Sequence, residues 1–109
     1  MPWLVRDGDV LAAVELADTA RSRRRGLLGR DAVEGALVLQ PCRQVHTVRM
    51  RFAIDVAFCD TDGVVVRTVT LAPWRVSPYV RRAAFVIEAE AGAFDRWRLR
   101  VGDRVELRT

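Results

Sequence analysis

Residues 42–63 read CRQVHTVRMRFAIDVAFCDTDG and predict a strand, a bend, a second strand and a turn. The two strands cover Val45–Met50 and Ile54–Asp60, where apolar and β-branched residues are frequent. Arg51-Phe52-Ala53 lies between them and is short enough to connect a hairpin. The turn that follows, Asp60–Gly63, ends in the Asp-Gly pair that favours tight turns. We therefore expect these two strands to pair with each other.

The expected hairpin places the side chains of the only histidine and of one aspartate. Side chains alternate between the two faces of a strand, so His46 shares the apolar face and Asp55 lies opposite Arg49. The predicted neighbours of His46 on that face are Val48, Met50, Ile54, Val56 and Phe58. The pattern leaves alternatives open. We predict that His46 is a shielded core side chain, with a general base or a metal ligand as the alternatives, and that Asp55 pairs with Arg49, with a position lining a pocket as the alternative.

The same stretch contains both cysteines, Cys42 and Cys59, and with His46 these are residue types that bind zinc. They supply three ligands at most, whereas a closed structural site needs four. We therefore predict no metal site, and no motif in the sequence implies a cofactor. Two cysteines in a cytosolic protein are most often free thiols, while the spacing also permits a Cys42–Cys59 disulfide.

Further strands and a helix are predicted on both sides of this stretch. The Asp7-Gly8 pair signals a hairpin near the start. A helix over residues 19–29 is expected because Thr19 or the aspartate before it can cap the helix and Gly29 can end it. The other predicted strands cover residues 3–6, 10–16, 36–40, 64–71, 83–89 and 104–107, with a short helical turn over 92–99. About eight short strands and one helix predict a mainly β (α+β) fold, a small β-sandwich or barrel.

Four motifs, in a fixed order and at matching spacing, give the chain a family resemblance. They are Arg23-x-x-Gly26-Leu27-Leu28-Gly29-Arg30, the stretch 42–63 itself, Val86-Ile87-Glu88-x-x-Ala91-Gly92 and Gly102-Asp103-x-Val105. The chain resembles the bacterial and archaeal family known as domain of unknown function 192. That resemblance implies a mainly β, jelly-roll-like domain and no established activity. The positions that match family members are Arg23, Gly26, Leu27, His46, Thr47, Met50, Asp55, Glu88, Gly92, Gly102 and Asp103.

Length and hydropathy limit the class of protein. The chain has 109 residues, which suits one domain, and we expect residues 1–109 to form it. No apolar run approaches the roughly 20 residues that span a bilayer. The first residues lack the charged, apolar and small-residue regions of a signal peptide. These features predict a cytoplasmic protein with no membrane span.

The positive charge of the chain comes from one residue type. All 18 basic residues are arginine, and the net charge is +4. A GC-rich genome explains this usage, and the alternative is selection for guanidinium groups that bind phosphate or carboxylate. Several arginines cluster within residues 21–30, but the aromatic residues that nucleic-acid binding would need lie elsewhere. We therefore predict no sequence-specific nucleic-acid binding.

The segment after residue 71 contains the best recognition candidates. Aromatic and guanidinium groups suit sugars, bases and peptides alike, and loops often carry such residues. The binding candidates are Trp74, Arg75, Tyr79 and Arg81 in this segment, together with Thr47 in the predicted strand beside His46. We expect Glu88, a carboxyl group in an apolar strand, to pair with an arginine, and the alternative is that it faces a pocket.

These observations favour a small binding or accessory domain for an unidentified small molecule, glycan or protein, acting as a monomer or weak dimer. One alternative is an enzyme in which His46 performs acid–base chemistry with Asp55 or Glu88. The other is a weak nucleic-acid binder that uses its arginines. A polar cleft with His46 beside a carboxylate would favour the enzyme, whereas a groove at Trp74 and Tyr79 would favour the binding domain.

Overall fold

The computed structural model describes residues 2–109, which form seven strands and two short helices. The strands are β1 Trp3–Arg6, β2 Asp9–Ala17, β3 Ala36–Leu39, β4 Ile54–Cys59, β5 Val65–Leu71, β6 Phe85–Glu90 and β7 Glu106–Arg108. The helices are α1 Ala20–Arg25, between β2 and β3, and α2 Ala93–Trp97, between β6 and β7. Strands and isolated β-bridges together hold 40% of the residues and helices 10%. The prediction of a mainly β fold is therefore confirmed.

Two hairpins form where the sequence has turn signals. Asp7 and Gly8 have φ angles of 51° and 82°, which is the conformation of a two-residue turn between antiparallel strands. β1 and β2 pair around this turn, as predicted. β4 and β5 form the second hairpin. In its turn, Asp60 Oδ1 accepts hydrogen bonds from the N–H groups of Asp62 and Val64, at 3.0 and 2.9 Å.

The strands form one mixed sheet in the order β5-β4-β6-β3-β2-β1-β7. β2 and β3 run parallel, and the other neighbouring pairs are antiparallel. The sheet does not close into a barrel. Its two edges nevertheless touch at one end, where Val65 N–H donates to Asp103 C=O and Val105 N–H donates to Gly63 C=O, each at 2.8 Å. The jelly-roll connectivity that the resemblance implies stays a prediction.

Both faces of the sheet are covered, because its central strands carry apolar side chains on both sides. On β4, Ile54, Val56 and Phe58 point to one face, and Ala57 and Cys59 point to the other. We call the first the α1 face and the second the α2 face. The α1 face is covered by Leu27, Val33, Val45 and Met50, and the α2 face by Ala93, Phe94, Leu99 and Val105. Each face therefore has its own apolar core.

The predicted strand Val45–Met50 and its hairpin with β4 are wrong. The neighbours of β4 are β5 and β6, while residues 43–47 run alongside residues 75–80. The physical reason is a turn inside the predicted strand, where Arg49 takes a left-handed φ of 65° and ends the extended chain. This turn breaks the alternation on which the predicted neighbours of His46 depended.

The first helix, α1, is shorter than the predicted helix over residues 19–29. Thr19 caps it as expected, since its hydroxyl accepts a hydrogen bond from the Ser22 N–H at 3.0 Å. The helix ends at Gly26 rather than Gly29, because Gly26 leaves the helical conformation with φ 47° and ψ −127°. Within the described chain, no helix is long and apolar enough to cross a membrane.

Candidate functional site

The candidate site is built around Glu88, a carboxyl group on the central strand β6. Glu88 lies opposite Val56 of β4 and Leu37 of β3, so it belongs to the α1 face. Only 3% of its surface is exposed. Burial raises the pKa of the Glu88 carboxyl to about 7, and no hydrogen bond or charge from residues 2–109 offsets this increase. The predicted pairing with an arginine does not form, since none of the ion pairs in residues 2–109 includes Glu88.

A cavity of about 60 Å³ lies beside Glu88, which is several times the space that one water molecule needs. Its walls come from Arg23–Leu28, from Leu39 at the end of β3, and from the segment between residues 45 and 50. A Cβ atom at Gly26 would lie 4.0 Å from Glu88 Oε1. The end of α1 therefore approaches the carboxyl group without covering it.

The arginines at the end of α1 place positive charge at the cavity wall. Arg23 is half-buried, and its Nη1 donates to the backbone carbonyls of Asp18 and Gln40, at 3.0 and 3.3 Å. These bonds fix the guanidinium group at the cavity wall, where the two arginines that follow it also lie. Because Arg23 and Glu88 form no ion pair, both can interact with a bound molecule.

The side chain of His46 lines the cavity, but it is exposed, so the prediction of a shielded core histidine is wrong. Its neighbours in sequence, Val45 and Thr47, are the buried residues of this segment. Alternation therefore holds locally, and it turns His46 outward. Its Nδ1 accepts a hydrogen bond from the Val48 N–H at 3.2 Å, which holds the ring beside its own segment.

A neighbouring residue, Thr47, anchors this segment to the loop after β5. It is fully buried, and its hydroxyl donates to the Ala72 C=O at 2.6 Å and accepts from the Arg75 N–H at 2.9 Å. The backbone C=O of Thr47 also accepts from the Trp74 N–H at 2.9 Å. Thr47 thus positions two other predicted binding residues, Trp74 and Arg75, while its own hydroxyl is occupied.

The carboxylate of Asp55 lies on the α2 face, and its predicted ion pair with Arg49 does not form because the hairpin is absent. Asp55 Oδ2 accepts hydrogen bonds from the N–H groups of Gly92 and Phe94, at 3.0 and 3.1 Å, and Oδ1 accepts one from the Thr70 hydroxyl at 2.8 Å. These bonds attach β4 to the start of α2. The sheet therefore separates Asp55 from the other two acid–base candidates.

The loop between β5 and β6 presents large side chains to solvent. Trp74, Val76 and Tyr79 are 60%, 61% and 60% exposed, and Arg75 and Arg81 are exposed as well. A groove of about 340 Å³ lies next to the loop, and it is lined by Gln44, Val45, His46, Val48 and Val76. Val76 is thus the residue of this loop that lines the groove, and neither aromatic residue does.

Both cysteines are free thiols. Cys59 is buried on the α2 face, where burial raises its pKa to about 12. Cys42 packs against the α1 face, where burial raises its pKa and the nearby Glu88 carboxyl adds to the increase. The disulfide that the spacing permits does not form. In residues 2–109, no three His, Cys, Asp or Glu side chains are placed to hold a metal ion.

Sequence reasoning finds His46 and Glu88 but misses the contribution of α1. The sequence does contain a sign that these residues matter, because Arg23 and Gly26 belong to one motif of the family resemblance and Glu88 belongs to another. The sequence alone does not connect the two motifs, since only the tertiary structure brings the end of α1 over β6.

Sequence comparisons find a family model and related proteins that match most of the chain. A family model described as DUF192, Uncharacterized ACR, matches residues 4–107. A UPF0127 protein of Pyrococcus abyssi is 33% identical over 98 residues, which cover 85% of this chain and 84% of the relative. A UPF0127 protein of Pyrococcus furiosus is 31% identical over 103 residues, which cover 90% of this chain and 89% of the relative.

Two crystal structures are similar to this chain. A protein of unknown function from Novosphingobium aromaticivorans has a TM-score of 0.82 and 20% identity, covering 96% of this chain and 82% of that one. A protein from Sinorhizobium meliloti, described as a proposed transcription regulator, has a TM-score of 0.83 and 22% identity, covering 97% of this chain and 91% of that one. At these identities the likeness concerns the fold alone.

Proposed function

Because the chain belongs to the DUF192 family, for which no activity is established, we propose a binding function from the site itself. The chain is a small binding domain whose site is the Glu88 cavity. Its ligand is a hydroxylated molecule, such as a sugar, of which one hydroxyl group enters the cavity of about 60 Å³ and donates a hydrogen bond to the Glu88 carboxyl. The observation that carries this proposal is a carboxyl group buried at an open cavity without a protein partner.

A buried carboxyl group is costly for a fold unless something bonds to it. An unsatisfied buried polar group costs on the order of 1–3 kcal/mol, and a charged one costs more. An apolar residue at this position of β6 would avoid that cost. The carboxyl oxygens are open to the cavity rather than sealed in the core, so a ligand hydroxyl that enters the cavity is able to bond to them. The arginines at the cavity wall disfavour a cationic ligand, which favours a hydroxyl over an ammonium group as the donor.

The test is a thermal-shift screen with monosaccharides, polyols and hydroxy acids as probes. Probes that raise the Tm of the wild-type chain are repeated on Glu88→Met, which removes the carboxyl and keeps a similar volume. We expect the shift to disappear in this variant. The matched control is Glu90→Met, since Glu90 is an exposed acid on the same strand. A shift that survives in Glu88→Met contradicts the proposal.

A second candidate function is acid–base catalysis at the same cavity. His46 and Glu88 both line it, and a carboxyl group with a pKa of about 7 suits proton transfer near neutral pH. Catalysis ranks second because the His46 ring bonds to the Val48 N–H and not to the Glu88 carboxyl. Probes found in the screen would then be converted, and NMR would detect their products. Glu88→Gln would stop conversion while the probe still binds. Unchanged probes after long incubation with the wild-type chain contradict catalysis.

We also propose that residues 1–109 act as one domain, as a monomer or weak dimer, in the cytoplasm. Two observations support this: the two apolar cores share the same strands, and both thiols are free, as in a reducing compartment. Calorimetry should then give one unfolding transition with equal calorimetric and van't Hoff enthalpies. Two separate transitions would contradict the single domain, and light scattering tests the monomer.

Nucleic-acid binding has less support. We propose that the chain binds no specific nucleic-acid sequence, although one structural neighbour is described as a proposed transcription regulator. The arginines of α1 lie at the cavity wall or are spread around a helix of six residues with no aromatic residue among them. Electrophoretic mobility shifts at physiological salt should show no binding, and tight binding that Arg24→Ala abolishes would contradict this.

A further inference from the structure

Residues 43–48 and 74–82 form a surface, here named the loop surface, that has one open backbone edge. Its two segments make a short antiparallel ribbon in which His46 lies opposite Val76. The backbone hydrogen bonds of the ribbon lie on either side of this pair, at 2.8 Å each. In such a pair, the N–H and C=O groups of His46 point away from the opposite segment. No backbone group in residues 2–109 bonds to them.

The loop surface also contains the apolar groove next to this open edge. Its volume of about 340 Å³ is large enough for an apolar side chain. Three of its lining residues, Val45, Val48 and Val76, are aliphatic. Thr47 and the backbone bonds of the ribbon hold the groove in place, so a partner would not have to order it first.

The charged side chains of the loop surface are all positive. Residues 43–48 and 74–82 contain four arginines and no acidic residue. Arg43 and Arg75 are exposed, and neither of them forms an ion pair with residues 2–109. A positive rim around an apolar centre matches a partner that carries carboxylates around an apolar side chain.

We propose that the loop surface binds an extended acidic segment of another protein. The backbone of that segment pairs with His46, an apolar side chain fills the groove, and the flanking carboxylates meet the arginines. Adding a strand to an open edge is a common mode of peptide recognition. Single-stranded nucleic acid could stack its bases on Trp74 and Tyr79, but it matches less well because neither aromatic residue lines the groove and it has no backbone that pairs with a strand.

The experiment uses the full chain and a fluorescein-labelled synthetic peptide in which glutamates alternate with valine and leucine. Fluorescence anisotropy at physiological salt measures its Kd. We expect Val76→Asp and Arg75→Glu each to weaken binding by roughly tenfold. Both side chains are exposed, so the changes leave the core intact. Hydrogen exchange should also slow at the His46 N–H when the peptide is added.

Two control variants distinguish binding at the loop surface from binding elsewhere on the chain. Val10→Asp changes an equally exposed valine, at 59%, in the β1–β2 hairpin, and Glu88→Met changes the floor of the cavity. Unchanged peptide binding in both supports the proposal and keeps it independent of the Glu88 site. The proposal is overturned if Val10→Asp weakens binding as much as Val76→Asp does, or if the His46 N–H gains no protection. Absence of peptide binding to the wild type, or tighter binding of an oligothymidine of equal charge, also overturns it.

Discussion

At the scale of single residues, Glu88 links the stability of the fold to pH. The ordinary pKa of a glutamate is 4.5, and burial raises that of Glu88 to about 7. Between these values the folded chain keeps the proton while the unfolded chain releases it. The free energy of unfolding should therefore fall as pH rises from 4.5 to 7 and change no further above that. The expected contribution of Glu88 is about 3 kcal/mol.

Urea unfolding at a series of pH values measures this effect. Glu88→Gln removes the titrating group, so it should flatten the decline and make the chain more stable than the wild type above pH 7. Glu90→Gln, which changes an exposed acid of the same strand, should keep the wild-type profile. Parallel profiles for Glu88→Gln and the wild type would show that Glu88 titrates normally.

A second residue-scale prediction concerns His46. Its side chain is exposed and accepts one hydrogen bond, from the Val48 N–H. We expect His46→Ala to change the free energy of unfolding by no more than about 0.5 kcal/mol, as is usual for surface positions. Urea unfolding at neutral pH measures it. A loss of several kcal/mol in the free energy of unfolding would indicate that the His46 side chain is buried in the core.

The sequence identifies the right residues more reliably than their surroundings. His46 and Glu88 are predicted candidates, and both line the cavity. The surroundings of His46 are wrong because the left-handed φ falls on an arginine, Arg49, a residue type that does not signal a turn. The predicted surroundings of Asp55 are wrong as well, because they depended on the same hairpin. The amides that donate to its carboxylate belong to Gly92 and Phe94, which are far from Asp55 in the sequence.

At the scale of elements, α2 depends on a carboxylate from another strand. Asp55 accepts from the N–H groups of Gly92 and Phe94, which would otherwise lack a partner at the start of this helix. Asp55→Asn removes the charge and one acceptor, so we expect a loss of about 2 kcal/mol in the free energy of unfolding. Hydrogen exchange at both amides should also become faster.

The control for this prediction is Asp9→Asn, at an exposed position of β2, which should leave stability and exchange unchanged. If Asp55→Asn behaves in the same way, the carboxylate does not hold the helix.

Elements with local signals are predicted well from the sequence: the Asp7-Gly8 hairpin and the Thr19 cap both form. The bounds of α1 cannot be predicted in the same way, because Gly26 and Gly29 are both able to end a helix.

At the scale of the whole molecule, the two edges of the sheet meet at Gly63. Its φ is 84°, and a Cβ there would lie 2.2 Å from the Val105 C=O. Gly63→Ala must therefore strain the backbone and push the two edges apart, which should cost about 3 kcal/mol or more. Gly8 has a similar φ of 82° with nothing within 4 Å of the Cβ position, so Gly8→Ala should cost only about 1 kcal/mol.

Thermal or urea unfolding of the two variants measures the difference. Equal losses would mean that the close approach to Val105 adds nothing to the cost of the φ angle.

The meeting of the edges is not predictable from the sequence, because Gly63 indicates only the end of a hairpin turn. The position of α1 over β6 is equally non-local, because the residues that meet there, Gly26 and Glu88, are far apart in the sequence.

The order of the strands also determines how the chain reaches this structure. Only two of the six strand pairings, β1–β2 and β4–β5, are hairpins; the others join strands that are separated by a helix or by other strands. Long loops must close before those pairings yield any contact energy. Folding is therefore expected to take milliseconds to seconds rather than microseconds. During that time the apolar strands β3, β4 and β6 stay uncovered, and newly made chains are then most prone to aggregate.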